Sequence, residues 1–193
     1  MIDLWVPDKK LHLPTPHAEE FGKTGLLCGT IELGAWDRRH RIVQQFREPS
    51  RSPVRAFLDI LLAQFLQNAI SSTDTGGTVR SYSTYASAYA TNAGSVGTWG
   101  VVVGTGTTAV DITDTKLATK ILVTIATVDA TSSLFVIYRN FSNNSGGSIT
   151  VGETAIYCTT NAWIFCLFRD VPTSLAVPDG GGCYVKYTLK ITE

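Results

Sequence analysis

From Thr78 to the end of the chain, short segments rich in Val, Ile, Thr, Tyr and Phe alternate with clusters of turn-forming residues. Segments of this kind predict antiparallel β-strands, and no run with helical periodicity interrupts them. Eight such strands in about 115 residues are typical of a β-sandwich or jelly roll, so we do not expect a parallel α/β enzyme fold. The predicted strands are 79–89, 100–104, 109–112, 117–126, 134–141, 148–158, 162–170 and 183–192.

The last of these strands has the clearest alternation. Tyr184, Lys186, Thr188 and Lys190 alternate with Val185, Tyr187, Leu189 and Ile191. A period of two predicts that the two sets of side chains lie on opposite faces of a sheet. The clusters 143–147 and 178–182 contain glycines, which tolerate positive φ, and therefore predict tight turns.

An amphipathic helix is predicted before the β region, over residues 53–70. Ser52 is a favourable N-cap, and Pro53 suits the first helical position. Apolar residues recur at steps of three and four, which gives a broad apolar stripe that must be covered. We expect this stripe to pack against the β domain. It consists of Val54, Phe57, Leu58, Leu61, Leu62, Phe65, Leu66 and Ala69.

The N-terminal quarter of the chain has a different composition. Half of the 32 charged side chains lie in residues 1–55, together with all three histidines and five of the seven prolines. Large apolar residues such as Trp5, Leu26 and Trp36 are spread through the same region, which is unlike a disordered tail. Two interpretations are open: an irregular segment packed on its own domain, or an extended arm that becomes ordered on neighbouring subunits. We favour the arm, and divide the chain into an arm (1–52), a helix (53–70) and a β-sandwich (71–193).

Charge and hydropathy exclude several functions. Sixteen basic and 16 acidic residues give no net charge, whereas nucleic-acid binding relies on clustered Lys and Arg. No apolar run reaches the roughly 20 residues that span a bilayer, so no membrane contact is expected. The N-terminus lacks the pattern of a signal peptide, which predicts synthesis in a cytoplasm.

No catalytic or cofactor-binding constellation is recognisable. Gly104 to Ala109 fits the pattern GxGxxA, but no helix follows it as a dinucleotide fold requires, and we predict a β-turn. Asp111 and Asp114 supply too few ligands for a calcium loop and are interpreted as exposed loop acids. The histidines lack metal-ligand spacing, and no Ser or Cys has a plausible His partner. We therefore expect a protein that is not an enzyme and needs no metal or cofactor.

The cysteines and the glycosylation sequons have structural interpretations. Cys28, Cys158, Cys166 and Cys183 are too dispersed to form a disulfide framework. Cys158 and Cys166 would approach each other across a hairpin, but buried free thiols are favoured because nothing indicates export. Asn140 and Asn143 begin sequons and are interpreted as turn residues.

Four segments of the chain resemble small structural proteins of tailed bacteriophages. They are WGVVVGTGTTAVDITDTKLATKI (99–121), RNFSNNSGGSITVGETAIYC (139–158), LFRDV (167–171) and VPDGGGCYVKYTLKIT (177–192). The resemblance covers roughly residues 95–193 and none of the arm. It departs from the family at 154–157, where Thr-Ala-Ile-Tyr replaces a common Val-Gly-Leu run.

The resemblance implies a virion component of the head, neck or tail. Its expected partners are other copies of itself and other virion proteins, in a homo-oligomer, and its expected location is the virion, after synthesis in the host cytoplasm. The alternative is a receptor- or carbohydrate-binding module of a fibre or spike, with Tyr82, Tyr85, Tyr89 and Trp99 as an exposed patch. The residues expected to make assembly contacts are Trp5, Leu26, Leu27, Trp36, Arg38 and Arg39.

Overall fold

The computed structural model describes residues 27–50, 52–66, 69–82, 100–121, 124–129, 135–160 and 163–191. These residues form thirteen strands and one α-helix. In chain order they are β1 (Leu27–Trp36), β2 (Ile42–Ser50), α1 (Arg55–Leu66), β3 (Ile70–Thr73), β4 (Val79–Tyr82), β5 (Gly100–Gly104), β6 (Lys120–Ile121), β7 (Thr124–Asp129), β8 (Phe135–Ser142), β9 (Ile149–Val151), β10 (Glu153–Thr160), β11 (Trp163–Asp170), β12 (Leu175–Val177) and β13 (Gly182–Ile191).

Two antiparallel sheets dominate the fold. The larger has five strands in the order β2-β1-β13-β8-β7, and the smaller has four in the order β11-β10-β5-β6. Two short pairs, β12 with β9 and β3 with β4, complete the described structure. The predicted fold class, a mainly β protein with antiparallel sheets in a sandwich and one helix, is confirmed.

The main core lies between the two sheets, where alternate residues of each strand point inward. β13 shows this directly: Val185, Tyr187 and Leu189 are buried, whereas Tyr184 and Lys186 are half-buried on the other face. The predicted alternation of this strand is therefore confirmed. Strands of both sheets contribute to one cluster, which includes Ile31, Leu33, Val101, Val103, Ile137, Phe141, Ile156, Phe168, Val185 and Tyr187.

The predicted arm is wrong for residues 27–50, which belong to the five-stranded sheet. β1 lies between β2 and β13, pairing Leu33 with Phe46 on one side and with Val185 on the other. The physical reason lies in the sequence of β1, where Ile31, Leu33 and Ala35 alternate with polar residues or glycine and are at most 1% exposed. Such alternation is typical of a strand with one buried face. It was overlooked because the number of apolar residues in this region was considered without their spacing. Residues 1–26 of the predicted arm lie outside the described residues.

The helix begins later than predicted. Residues 52–54 run beside β11, where the Arg169 N–H donates to Ser52 O (3.1 Å) and the Val54 N–H donates to Leu167 O (3.0 Å). Ser52 is therefore not the N-cap of α1. The helix ends at Leu66, and Ile70, which was predicted to be helical, opens β3.

The helix packs on the β domain, as expected, and Phe57 of the predicted stripe contacts the main core, but the rest of the buried side is not the one predicted. Its small residues Ala56 and Ala63, with Ile60, pack against Cys158 and Phe165 of the four-stranded sheet. Leu58, Leu61 and Leu62, which were assigned to the buried stripe, are exposed. Small side chains allow the helix to lie close to the sheet, so the larger leucines beside them point away.

Several strands differ from prediction in local detail. β5 has the predicted bounds, but the predicted strand 109–112 is part of a loop, and the predicted strand 148–158 is interrupted at Gly152 between β9 and β10. β3 and β12 were not predicted. The predicted strand 79–89 is β4 as far as Tyr82, and its remainder lies outside the described residues.

Candidate functional site

A buried carboxylate on the outer face of the four-stranded sheet organises the loop 105–119. Glu153 is fully buried and accepts backbone hydrogen bonds from Gly106 (3.1 Å), Ala118 (3.0 Å) and Thr119 (2.7 Å). The glycine-rich segment that matched GxGxxA thus directs an amide at a carboxylate of this chain and not at a phosphate. It forms an open loop after β5, and the predicted β-turn is not formed there.

Arg169, on the neighbouring strand β11, completes this network with all five of its N–H groups. Nε and Nη2 donate to Glu153 Oε2 at 3.1 and 2.9 Å. Nη1 donates to Asp114 Oδ2 (2.8 Å) and to Ala109 O (3.4 Å), and Nη2 also donates to Thr108 O (3.0 Å). We call Glu153, Arg169 and Asp114 the loop clamp.

The electrostatics of the loop clamp are those of a satisfied ion network. Burial acts to raise the pKa of Glu153, but the amides of Thr119 and Ala118 and the Arg169 guanidinium outweigh it and hold the pKa below 4.5. Burial acts to lower the pKa of Arg169, and the bonds to Glu153 and Asp114 raise it above its ordinary value instead. Both groups therefore stay charged at neutral pH and hold the loop on the sheet.

The two loop acids of the sequence have different surroundings. Asp114 belongs to the loop clamp and also accepts the Asp111 N–H at 2.8 Å. Asp111 is exposed and accepts from the N–H (2.8 Å) and hydroxyl (2.6 Å) of Thr113. Across the parts of the chain that the structure describes, no group of three or more His, Cys, Asp or Glu side chains is placed to hold a metal ion.

A groove of about 440 Å³ lies between the end of β2, the loop 107–110 and residues 170–172. Its two carboxylates, Glu48 and Asp170, have partners within the chain. Ser50 Oγ donates to Asp170 Oδ2 at 2.9 Å, and Glu48 accepts the Thr173 N–H at 3.1 and 3.3 Å. These bonds tie β2 to the end of β11 and to the residues that follow it, which is a structural use of both carboxylates.

Three of the four cysteines are free thiols in the part of the chain whose side chains the structure describes. Cys158, Cys166 and Cys183 are buried and unbonded, as the sequence favoured. Burial raises the pKa of the Cys158 and Cys183 thiols to about 12. Asn143 is a turn residue, as predicted: it is 1% exposed, and its amide donates to Gly147 O (2.8 Å) and Val177 O (2.9 Å). The same prediction is wrong for Asn140, which lies within β8 and pairs with Tyr184 of β13.

Three of the predicted assembly residues, Trp36, Arg38 and Arg39, lie where β1 ends and the chain turns into β2. The indole of Trp36 lies over Gly182 of β13, and Arg38 forms an ion pair with Asp179 at 2.6 Å. Both residues therefore make contacts within their own chain. Arg39 is exposed. Leu27 is the first residue of β1, while Trp5 and Leu26 lie outside the described residues.

α1 has an exposed apolar surface whose residues were predicted to be buried against the β domain. Leu58, Leu61 and Leu62 are 56%, 43% and 48% exposed, and their spacing places them together on one side of the helix. We call them the α1 leucine face. Covering three half-exposed leucines would contribute about 2–4 kcal/mol. The sequence did contain a signal for this face, because the helix has more apolar residues than one buried stripe can hold.

No protein-family model, curated protein or solved structure matches this chain. Among the described helical residues, none forms a segment long and apolar enough to cross a membrane.

Proposed function

We propose that this protein is a structural subunit of a tailed-bacteriophage virion, located in the head, neck or tail, which assembles with further copies of itself and with other virion proteins. The observation that carries the assembly role is the α1 leucine face. Three leucines exposed together on a short helix are an aggregation liability for an isolated chain, and assembly removes that liability by covering them.

The β-sandwich supports the same proposal. The loop clamp uses its charged groups to fasten one loop to the sheet, and the two carboxylates of the groove are paired within the chain. A rigid sandwich with an apolar docking face suits a subunit whose task is to hold a place in a lattice. The resemblance of residues 95–193 to small phage structural proteins supplies the virion context.

The alternative function, a receptor- or carbohydrate-binding module, has less support. The four aromatic residues expected to form its patch are Tyr82, Tyr85, Tyr89 and Trp99. Tyr82 ends β4, and the other three lie outside the described residues. The α1 leucine face, in contrast, lies in the described part of the chain, so we argue the structural role.

Quantitative mass spectrometry of purified virions tests this proposal. Particles of the phage that encodes the chain are banded by density, washed at high salt and digested, and the copy number of the chain is measured against the major capsid protein. We expect several copies in every particle after washing. Loss of the chain in the wash, or less than one copy per particle, would contradict the virion role.

A further inference from the structure

Two glycines of the five-stranded sheet each lie beneath an aromatic ring of the neighbouring strand. β1 and β13 pair Gly34 with Tyr184 and, two residues further on, Trp36 with Gly182. A Cβ atom at Gly34 would overlap the ring of Tyr184, and a Cβ atom at Gly182 would overlap the indole of Trp36. Each ring therefore lies along the sheet and across the opposite strand. A glycine inside a strand often marks a place where another group approaches the backbone closely.

Both rings belong to the outer face of this sheet. Their neighbours in sequence, Ala35 and Val185, point into the main core, so Trp36 and Tyr184 point outward. Both aromatic residues are half-buried, because the sheet covers one side of each ring. The spacing of strands and of alternate residues places the two glycine positions beneath the rings about 8 Å apart on the diagonal. We call Trp36 and Tyr184 the aromatic platform.

Hydrogen bonds hold one ring of the aromatic platform in place. The Tyr184 hydroxyl donates to Glu32 Oε1 at 2.8 Å and accepts from Gln45 Nε2 at 2.7 Å. Gln45 Nε2 also donates to Glu32 Oε1 at 3.2 Å. These three side chains belong to three adjacent strands, so the ring is fixed by the sheet before any ligand arrives. A ring that is already ordered loses little entropy on binding.

The charges around the aromatic platform are mixed. On the outer face Glu32 pairs across the strands with Arg47 on one side and with Lys186 on the other. Beside Trp36, Arg38 forms an ion pair with Asp179. Nucleic acids and strongly charged peptides are attracted to surfaces with an excess of one sign. The charge of this face therefore complements a neutral ligand.

Neutral hydrogen-bonding groups stand on both sides of the Tyr184 ring. The register across four strands is Gln45, Gly34, Tyr184 and Asn140. Both amide residues are half-buried on the outer face, and an amide side chain both donates and accepts hydrogen bonds. Aromatic rings edged by amides match a ligand that has apolar flat sides and a rim of hydroxyl groups.

We propose that the aromatic platform binds a neutral, extended oligosaccharide of β-1,4-linked pyranose units. The ring substituents of a β-1,4-glucan are equatorial, so each unit has two apolar C–H faces and hydroxyl groups around its rim. The C–H faces stack on the electron-rich faces of Trp36 and Tyr184, and the hydroxyl groups bond to Gln45, Glu32 and Asn140. Two rings about 8 Å apart contact different units of one chain. This binding function is additional to the assembly role and does not depend on it. The surface shares no residue with the aromatic patch expected from the sequence.

Saturation-transfer NMR of the full-length chain with cellohexaose tests the proposal. Saturation of the aromatic protons of the protein should pass to the ring C–H protons of the sugar, and isothermal titration should give a dissociation constant below about 1 mM. Maltohexaose, which has the same units in α-1,4 linkage and a curved chain, is the matched ligand control. It should bind about tenfold more weakly, because a curved chain cannot lie flat on both rings at once.

Variants of the full-length chain locate the binding surface. Trp36→Ala should weaken cellohexaose binding about tenfold, because it removes one stacking ring. Tyr184→Phe keeps its ring but loses both hydrogen bonds of the hydroxyl, and should weaken binding less. Val79→Ala, at a residue of β4 that is 66% exposed, is the matched protein control and should bind as the parent does. Melting temperatures establish that each variant is folded, and Trp36→Phe replaces Trp36→Ala if the latter does not fold.

Three results would overturn the proposal. The first is the absence of saturation transfer from the parent chain to cellohexaose. The second is equal affinity for maltohexaose, which would show that an extended chain is not what the platform recognises. The third is unchanged affinity in a folded Trp36 variant, which would place the sugar elsewhere. Each of these results is compatible with abundant copies in the virion, so failure of this site is distinguishable from failure of the proposed function.

Discussion

The guanidinium of Arg169 donates two hydrogen bonds to a single carboxylate oxygen of Glu153, at 2.9 and 3.1 Å. The two residues lie on adjacent strands of the four-stranded sheet, and their side chains are 2% and 0% exposed. Since the other N–H groups of Arg169 hold the loop 108–114, the pair connects that loop to the sheet. The stability of the loop therefore depends on both charges.

Removing one partner of this pair should destabilise the protein strongly. Arg169→Met leaves the Glu153 carboxylate buried without its cation, which typically costs about 3–5 kcal/mol. Urea unfolding measures the change in the free energy of unfolding. Arg38→Ala is the matched control, because it breaks an ion pair whose arginine is 71% exposed, and such pairs contribute less than about 1 kcal/mol. Equal losses of unfolding free energy in the two variants would show that burial does not strengthen the contribution of the Glu153–Arg169 pair.

The same carboxylate should make stability depend on pH. The folded-state pKa of Glu153 lies below its ordinary value, so its contribution is fully present above the unfolded-state pKa and is lost as pH falls through the folded-state pKa. Thermal melting between pH 7 and pH 3 should show a larger loss for the parent chain than for Glu153→Gln. Parallel curves for the two proteins would show that Glu153 does not contribute to the acid sensitivity.

The elements that were predicted most accurately are those whose pattern is visible within one short stretch of the sequence. β5 and β13 were recognisable because an apolar run or a strict alternation lies between glycine-containing turns. β1 and β2 were assigned to the arm, because the charges and prolines around them suggested an extended segment. Their position is decided by long-range pairing, such as Gly29 with Ser50, which no local pattern contains.

The loop clamp was missed for a related reason. The sequence did contain one indication of the loop clamp, because Glu153 and Arg169 are charged residues in largely apolar strands. Their partners include backbone amides of residues 106, 118 and 119, which no side-chain motif can indicate. The α1 leucine face was missed because helical periodicity identifies apolar residues but not which of two faces packs on the sheet.

The buried thiols should be unreactive in the folded protein. Burial raises the pKa of Cys158 and Cys183 to about 12, so very little thiolate forms at pH 8. Brief treatment with iodoacetamide should leave the peptides that contain these residues unmodified, whereas the same treatment in urea should alkylate them completely. Rapid alkylation of the native protein would show that the sheets open on the timescale of labelling.

A glycine on the outer face of the five-stranded sheet should resist substitution. A Cβ atom at Gly34 would overlap the ring of Tyr184. The Tyr184 hydroxyl donates to Glu32 (2.8 Å) and accepts from Gln45 (2.7 Å), so moving the ring breaks both bonds. Gly34→Ala should cost about 1–3 kcal/mol. In contrast, Gly147→Ala, where nothing lies within 4 Å, should melt within a few degrees of the parent chain.

Two N-terminal deletions should separate the sandwich from the segment that precedes it. Removing residues 1–50 deletes β1 and β2, and with them the core residues Ile31 and Leu33, which are at most 1% exposed. β13 would then lose the partner with which it pairs from Leu27 to Trp36, and its exposed edge would favour aggregation. We expect no cooperative melting by circular dichroism. Removing residues 1–24 leaves both sheets complete, so this chain should melt cooperatively but associate more weakly than the parent. Cooperative melting of the chain that lacks residues 1–50 would show that β3–β13 form a stable unit and that β1 and β2 are dispensable.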